Sequence, residues 1–195
     1  MKKMNLLLLI MALIVISGCA ESSALIKASS TSVRSDVFQE LKDGGPIPLG
    51  YADLRIISSL KTHKPGIYSK NDIHGTHEYR LLINVDGQAV QLQGSLHEEN
   101  IEPRGLRDPE AGEGIRYRFG RDLRLKAGTH KIVVAIPDDG LASEREITLS
   151  EGKNNLVLEP IYGATPGKQR PGFYGVTSFK EGIKWFRLKL NGQDI

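Results

Sequence analysis

The polar segment at residues 71–78 carries the side chains best suited to bind a metal. His74 and His77 lie there beside Asp72 and Glu78. Imidazole nitrogens and carboxylate oxygens are the usual zinc ligands, so two histidines and one acid supply three. On a regular strand the two histidines would point to opposite faces, so a shared ion requires a curved loop, which the glycine between them permits. The simpler interpretation is a polar connection without metal, and we predict no cofactor.

Four cationic side chains alternate along the middle of the chain. Arg116 and Arg118 share one strand face, and Arg124 and Lys126 share a face of the next predicted strand. If these strands pair, the four cations form a basic patch suited to lipid phosphates, an anionic glycan or an acidic partner. The alternative is a solvated face that acids such as Asp122 neutralise.

The single tryptophan lies near the C-terminus on a strand of alternating character. Phe186 and Leu188 share one face, whereas Trp185 falls on the other face beside Arg187 and Lys189. An exposed tryptophan among cations is a candidate binding residue. The alternative is a core tryptophan covered by the loop that precedes this strand.

Catalytic motifs are absent from the sequence. No serine lies in a Gly-x-Ser-x-Gly elbow, and no glycine-rich loop precedes a lysine as in phosphate-binding loops. The chain has one cysteine, Cys19, so it forms no internal disulfide. A non-catalytic protein is therefore favoured, although the lack of a motif does not exclude an enzyme.

The N-terminus contains two lysines, an apolar run over residues 6–16 and the tetrapeptide Ile16-Ser17-Gly18-Cys19. The run suits the core of a signal peptide, about 7–15 residues, and is shorter than the roughly 20 residues of a spanning helix. The tetrapeptide resembles the lipobox of bacterial lipoproteins. That resemblance implies cleavage of residues 1–18 as a signal peptide and lipidation of Cys19, which attaches the protein to a membrane.

Ala20 after the lipobox cysteine resembles the sorting signal for the outer membrane in Gram-negative cells. We therefore expect an envelope protein on the outer membrane facing the periplasm, or on the outer face of the plasma membrane where only one membrane exists. The formal charge is +3, and loss of Lys2 and Lys3 with the leader leaves a nearly neutral chain. No nucleic-acid partner is expected.

The domain organisation follows from composition. Residues 19–45 comprise the lipidated cysteine and a serine-rich stretch, which predicts a flexible tether. The alternative is an N-terminal arm packed on the domain. Residues 46–195 are expected to form a single domain, with a possible extra C-terminal hairpin over 163–195.

Short strands dominate the predicted domain. Tyr51–Lys61 alternates in polarity, and the strands Tyr79–Val85 and Gln88–Leu96 flank Asp86-Gly87, a dipeptide typical of a type I′ turn. A two-residue loop pairs Ile83 with Val90, and the next apolar pair is Leu81 with Leu92. A long polar loop is expected over 97–114. Further short strands and glycine-rich turns predict an all-β fold, an antiparallel β-sandwich of Ig-like or transthyretin-like type.

The segment Asp122–Pro160 contains a strand, a Gly-Thr-His turn, an aliphatic strand, a loop and a hairpin with glycine. This order resembles the second half of PEGA-type and related transthyretin-like modules, and Ile83–Gly87 resembles their opening strand. The resemblance implies an extracytoplasmic accessory or binding role. It implies no conserved catalytic set, so no site residues follow from it.

Together these features predict a lipid-anchored envelope protein whose sandwich binds or scaffolds an envelope protein or glycan. Two alternatives remain open from sequence: a metal-dependent envelope enzyme using His74 and His77, and a pilot or assembly lipoprotein for a secretion or surface-fibre machine.

Overall fold

The computed structural model describes residues 21–42, 45–66, 70–102, 108–163, 179 and 182–195 of the 195-residue chain. Within them, helix α1 spans residues 21–29 and a 3₁₀ turn spans Pro137–Asp139. The strands are β1 (Phe38–Glu40), β2 (Tyr51–Thr62), β3 (Arg80–Val85), β4 (Gln88–Gln93), β5 (Ser95–Ile101), β6 (Gly112–Lys126), β7 (Gly128–Ile136), β8 (Leu141–Leu149), β9 (Gly152–Gly163), β10 (Gly182–Leu190) and β11 (Gln193–Asp194).

The strands form two sheets. The first sheet has seven strands in the order β1-β6-β2-β9-β10-β11, with β5 also paired to β6, and the second has the order β4-β3-β7-β8. The prediction of an all-β sandwich is confirmed. One departure from antiparallel order is the parallel pairing of β2 with β9, where Ala52 faces Gly152.

Both sheets bury their inner faces in a single core. On β2, Leu54, Ile56 and Leu60 are fully buried, because alternate residues of a strand point to the same side. Ile83 of β3 and Val134 of β7 meet them from the second sheet. Full burial of each such side chain contributes about 1.5–3 kcal/mol, so the sheets hold each other in place.

The β3–β4 hairpin has the predicted turn and register. Asp86 and Gly87 both have positive φ angles, 47° and 90°, as a type I′ turn requires. Ile83 pairs with Val90, and Leu81 pairs with Leu92. The apolar pattern and the turn therefore specify the same register, as the sequence predicted.

The two central cationic strands are one continuous strand, so they do not pair with each other as a basic patch would require. β6 runs unbroken from Gly112 to Lys126 and pairs with β2 along most of its length. Gly120 lies within it, opposite Ile57, and nothing lies within 4 Å of the position a Cβ would take there. Gly120 is thus accommodated within the sheet.

The N-terminal stretch packs on the sandwich in its described part, residues 21–42, in place of the predicted free tether. In α1, Ser22, Leu25, Ile26 and Ser29 are partly or fully buried, at the i, i+3, i+4, i+7 spacing of one helix face. The flanking helix residues are exposed. For these residues, the alternative of an N-terminal arm packed on the domain is therefore the correct one.

The arm lies against the second sheet and its turn. The Asn84 side chain on the outer face of β3 donates to the carbonyl of Ser29 at 3.0 Å. Val33 donates its N–H to the carbonyl of Gly87 at 2.9 Å. Phe38 then enters the core, and β1 pairs with β6. The ordered unit therefore begins before residue 46.

The described C-terminal strands belong to the first sheet, and residues 164–178 and 180–181 of the possible C-terminal hairpin lie outside the described residues. β10 pairs with β9, and Leu188 lies opposite Leu158 in the core. Likewise, the polar stretch 97–114 is partly strand, because β5 pairs with β6 over Ser95–Ile101. The described helix is too short to cross a lipid bilayer.

Candidate functional site

A cluster of polar side chains lies at the end of the sandwich where β2 leads into the loop before β3. We name it the histidine cluster: His63, Asp72, His74, Tyr79 and Asp139. His63 directly follows β2, the loop supplies Asp72 and His74, and Asp139 comes from the 3₁₀ turn between β7 and β8. The chain that follows β2 and the loop before β3 therefore meet a residue from a distant turn at one point.

Two imidazole rings converge on the carboxylate of Asp72. The Nε2 atom of His63 contacts one oxygen of Asp72, and Nδ1 of His74 lies 2.5 Å from the other. The second ring nitrogen of His74, Nε2, is 2.7 Å from Oδ1 of Asp139. Tyr79 donates its hydroxyl to Oδ2 of Asp139 at 2.6 Å. Each acidic group thus has two side-chain partners.

The loop is held in place by its close approach to the chain that follows β2. Gly75 has a φ of 76°, and a Cβ there would lie 2.5 Å from Cδ of Pro65 and 3.0 Å from the carbonyl of His63. Only glycine fits this position without strain. Tyr117 of β6 donates its hydroxyl to the carbonyl of Thr76 at 2.6 Å, which ties the loop to the first sheet.

The electrostatics of the histidine cluster favour a protonated His74. Its hydrogen bond to Asp139, assisted by the bond to Asp72, raises the pKa of His74 to about 9 against the effect of burial. Burial acts to raise the pKa of Asp72, but hydrogen bonds from His63 and His74 prevail and lower it to about 2. Burial lowers the pKa of His63 despite the neighbouring Asp72.

The same atoms are a possible set of metal ligands. One ligand atom from each of His63, Asp72 and His74 lies within 4.8 Å of the other two. Two imidazoles and one carboxylate suit zinc and similar divalent ions. In the described residues, this arrangement can hold either a proton-bridged ionic network or a metal ion.

The predicted metal ligands are only partly brought together. His74 and Asp72 meet, whereas His77 and Glu78 are exposed, and His63 occupies the place expected for His77. His63 lies two residues before Pro65-Gly66, a dipeptide typical of turns. This turn signal is the local indication that the chain near His63 changes direction. No local signal connects Asp139 with His74, which is 65 positions away.

The predicted basic patch does not form, because its members are spread along β6. Arg118 and Arg124 are six residues apart, about 20 Å along a strand. Arg124 is paired with Asp53 through bonds of 2.7 and 2.9 Å. Arg118 and Lys126 are exposed at separate positions. For Arg124, the alternative prediction of a salt-bridged face is therefore correct, and the prediction of a basic patch is not.

Arg116 belongs to a buried ionic cluster instead of the surface. Its guanidinium donates two bonds of 2.9 Å to Glu110 and one of 2.9 Å to Glu99. Beside it, the fully buried Lys61 donates to the carbonyls of Glu110 and Gly112 at 2.8 and 2.7 Å. Burial lowers the pKa of Lys61 although Glu99 acts to raise it. Sequence analysis missed this lysine, because it alternates with core residues on β2.

Trp185 lies on the outer face of the first sheet, and 61 % of its surface is exposed. Its strand partner is Ile161 of β9. Arg187 next to it on the same face is also exposed, and Lys189 is paired with Glu159 at 2.8 Å. The tryptophan is therefore a surface residue, as the first of the two predicted alternatives has it.

The predicted lipobox at Ile16–Cys19 and the predicted signal peptide lie outside the described residues. No protein-family model, curated protein or solved structure matches this chain.

Proposed function

We propose that this chain is a lipid-anchored cell-envelope protein whose β-sandwich binds an envelope protein partner without catalysing a reaction. The observation that carries the binding role is Trp185, a large aromatic side chain that is 61 % exposed on a sheet face. Tryptophan and arginine are enriched among the residues that dominate binding energy at protein interfaces. Trp185 and Arg187 combine both types on neighbouring outward positions of β10.

The surface around Trp185 extends across the first sheet. Ile57 of β2, 38 % exposed, pairs with Val157 of β9, which in turn pairs with Lys189 of β10. Lys189 lies four residues from Trp185 on the same face, a distance of about 13 Å. Ile57 and Val157 therefore extend the outward apolar surface beyond Trp185, whose own strand partner is the half-buried Ile161.

The expected partner is a protein whose binding surface has an apolar centre surrounded by acidic side chains. The outward positions of a sheet present a broad surface, whereas small ligands favour enclosed pockets. Arg187 and the exposed Lys184 supply positive charge beside the tryptophan. An acidic partner would thus gain both aromatic contact and charge complementarity.

The membrane anchor in this proposal depends on the lipobox resemblance at Cys19. Two residue steps separate Cys19 from residue 21, where α1 begins, and they span at most about 7 Å. An acylated Cys19 would therefore hold α1 and the second sheet close to the bilayer. This placement leaves the outer face of the first sheet, with Trp185, free to meet a partner.

Binding is tested by crosslinking in the native host, followed by purification of the tagged full chain and quantitative mass spectrometry. We expect Trp185→Ala to reduce the captured partner at least about tenfold, since hot-spot truncations cost 2 kcal/mol or more. Leu49→Ala is the matched control, because Leu49 is another exposed apolar residue, at 91 %, in a loop. Equal capture by both variants, or capture of only lipid or glycan, would refute the protein-binding role.

The same experiment separates a scaffold from a pilot lipoprotein. Components of a secretion or surface-fibre machine, captured through Trp185, would specify a pilot role. Resident envelope proteins would specify a scaffold.

Anchoring is tested independently with Cys19→Ser. We expect this variant to lose lipid labelling and to accumulate with its leader still attached. Normal processing or membrane retention equal to wild type would contradict the anchor and leave the binding result unaffected.

A further inference from the structure

We propose that His63, Asp72 and His74 bind one divalent cation of the zinc class. The proposal rests on the convergence of their ligand atoms, which lie within 4.8 Å of one another at the end of β2. The proposal does not depend on the proposed partner or on the lipid anchor. Its residues lie in a different segment of the chain from Trp185.

The ligand atoms face a common point. Nδ1 of His74 and Nε2 of His63 both point to the Asp72 carboxylate, each to a different oxygen. A cation placed between the rings and the carboxylate would replace these hydrogen bonds with three metal–ligand bonds. Little rearrangement of the backbone is required, because all three side chains already have the necessary directions.

A second, independent observation is the orientation of the His74 ring. In metal sites a ligating histidine almost always donates its other ring N–H to a carboxylate or carbonyl, which fixes the ring and its tautomer. Asp139 provides this partner at 2.7 Å from Nε2, and Tyr79 in turn holds Asp139 at 2.6 Å. Tyr79 is fully buried. The structure thus contains both the ligands and the groups that orient one of them.

The donor set selects the class of ion. Magnesium and calcium prefer oxygen ligands, whereas two imidazoles favour zinc and neighbouring transition metals. Three protein ligands leave a fourth position for water in a tetrahedral site. The side chains of His63, Asp72 and His74 are 17 %, 9 % and 25 % exposed, so solvent reaches the site although it is largely enclosed.

A bound ion would connect His63, directly after β2, with Asp72 and His74 of the following loop. The hydrogen bond of His74 to Asp139 joins that loop to the β7–β8 connection. The expected effect is therefore a stiffer loop and a more stable sandwich. This role needs no reaction at the metal.

The test is titration of the full chain, purified in detergent after metal removal, with Zn²⁺ against a competing chromophoric chelator. We expect one ion per chain and a rise in the thermal unfolding midpoint, since the ion binds the folded state. Co²⁺ in the same site is expected to give the intense visible absorption of tetrahedral coordination.

Variants assign the ligands and the positioning residue. His63→Ala and His74→Ala are each expected to weaken Zn²⁺ binding at least about 100-fold, and Asp139→Asn about 10–100-fold with the stoichiometry unchanged. His77→Ala and His97→Ala are the matched controls, because both histidines are exposed and lie outside the cluster. Their Zn²⁺ affinity and Co²⁺ spectrum should equal those of the wild type.

Folding of each variant is checked by far-UV circular dichroism in the absence of metal. If an alanine variant unfolds, His63→Gln and His74→Gln replace it, because the amide keeps a hydrogen bond to Asp72. The proposal is overturned if wild type binds less than one ion per chain, or if the cluster variants retain wild-type affinity. Loss of binding in the His77 or His97 control would also overturn it.

Discussion

Arg116 shows how this chain uses its charges, because its guanidinium lies between Glu99 and Glu110 instead of on the surface. Lys61 lies beside these residues as a second buried cation, and its ammonium group donates to two backbone carbonyls. Charged groups removed from water must find partners of this kind. Substitutions in such a cluster should therefore affect stability more than binding.

We expect Glu110→Gln to lower the free energy of unfolding by about 1–3 kcal/mol at pH 7, since it breaks a bidentate, charge-assisted pair. The bond to Arg116 lowers the pKa of Glu110. A lowered folded-state pKa adds stability above the usual glutamate pKa of about 4.3, and this stability is lost as pH falls through the lowered value. Urea unfolding from pH 7 to pH 3 measures the difference.

The control is Glu98→Gln, because Glu98 contacts Lys64 with a side chain that is 74 % exposed. Its effect should stay below about 1 kcal/mol. A Glu110→Gln difference that remains constant down to pH 3 would contradict the ion-pair explanation.

Gly75 gives a second prediction at this scale. We expect Gly75→Ala to lower the free energy of unfolding by about 1–3 kcal/mol more than Gly66→Ala does. Both glycines have a φ of 76°, but nothing lies within 4 Å of a Cβ at Gly66, whereas a Cβ at Gly75 meets Pro65 at 2.5 Å. The comparison by thermal or urea unfolding isolates the steric contact from the backbone conformation. Equal losses would mean that the loop can move away from Pro65.

The element that most changes the expected organisation is α1. The hydrogen bond from Asn84 to the carbonyl of Ser29 places α1 on the outer side of the second sheet, where Leu82 and Val133 are buried although they face away from the core. The nine described residues of α1 would form only a marginal helix in isolation, so its stability depends on this packing.

We expect Leu25→Asp to detach α1 without unfolding the sandwich, because a charge would enter the apolar side of the helix. Hydrogen exchange should become faster at the amides of Ser30 and Val33, which bond to Ile26 and Gly87. Ala24→Asp is the matched control, because Ala24 lies on the exposed side of α1. If exchange is equally fast in both variants, the helix is not held by its apolar stripe.

On the scale of the whole molecule, the two sheets depend on one core and should unfold together. Residues of β2 and β9 pair although they are about 100 positions apart, as in the bond from Ser58 to the carbonyl of Leu158. The chain between β2 and β9 contains all four strands of the second sheet, so pairing of β2 with β9 is coupled to the folding of that sheet. Neither sheet is therefore expected to persist alone.

We expect Leu81→Ala, a change in the second sheet, to lower the free energy of unfolding by about 2–5 kcal/mol. Far-UV circular dichroism should shift together with the fluorescence of Trp185 in the first sheet, because both report one transition. Gln91→Ala, at an exposed position of β4, should shift neither signal appreciably. Separate transitions for the two signals would show that the sheets are independent units.

Local patterns determined much of the strand content in advance. The alternation of β2 and the Asp86-Gly87 turn specify their own structure, because side-chain period and turn geometry act within a few residues. α1 was also present in the sequence, as the spacing of Leu25, Ile26 and Ser29, but its high serine content resembled a linker. The two strands expected around Arg116 and Arg124 are one strand, β6, because pairing with β2 continues through Gly120.

The sequence by itself determined features that depend on short-range order, namely many of the β-strands and the register of the β3–β4 hairpin, whereas the lipobox at Cys19 stays a prediction. Only the tertiary structure decided that His63 rather than His77 joins Asp72 and His74, that Asp139 orients the ring, and that Arg116 is buried. These contacts join segments up to 65 residues apart, so no local pattern encodes them. The physical reason is that core burial selects the sheet pairing, and the pairing then selects which polar groups meet.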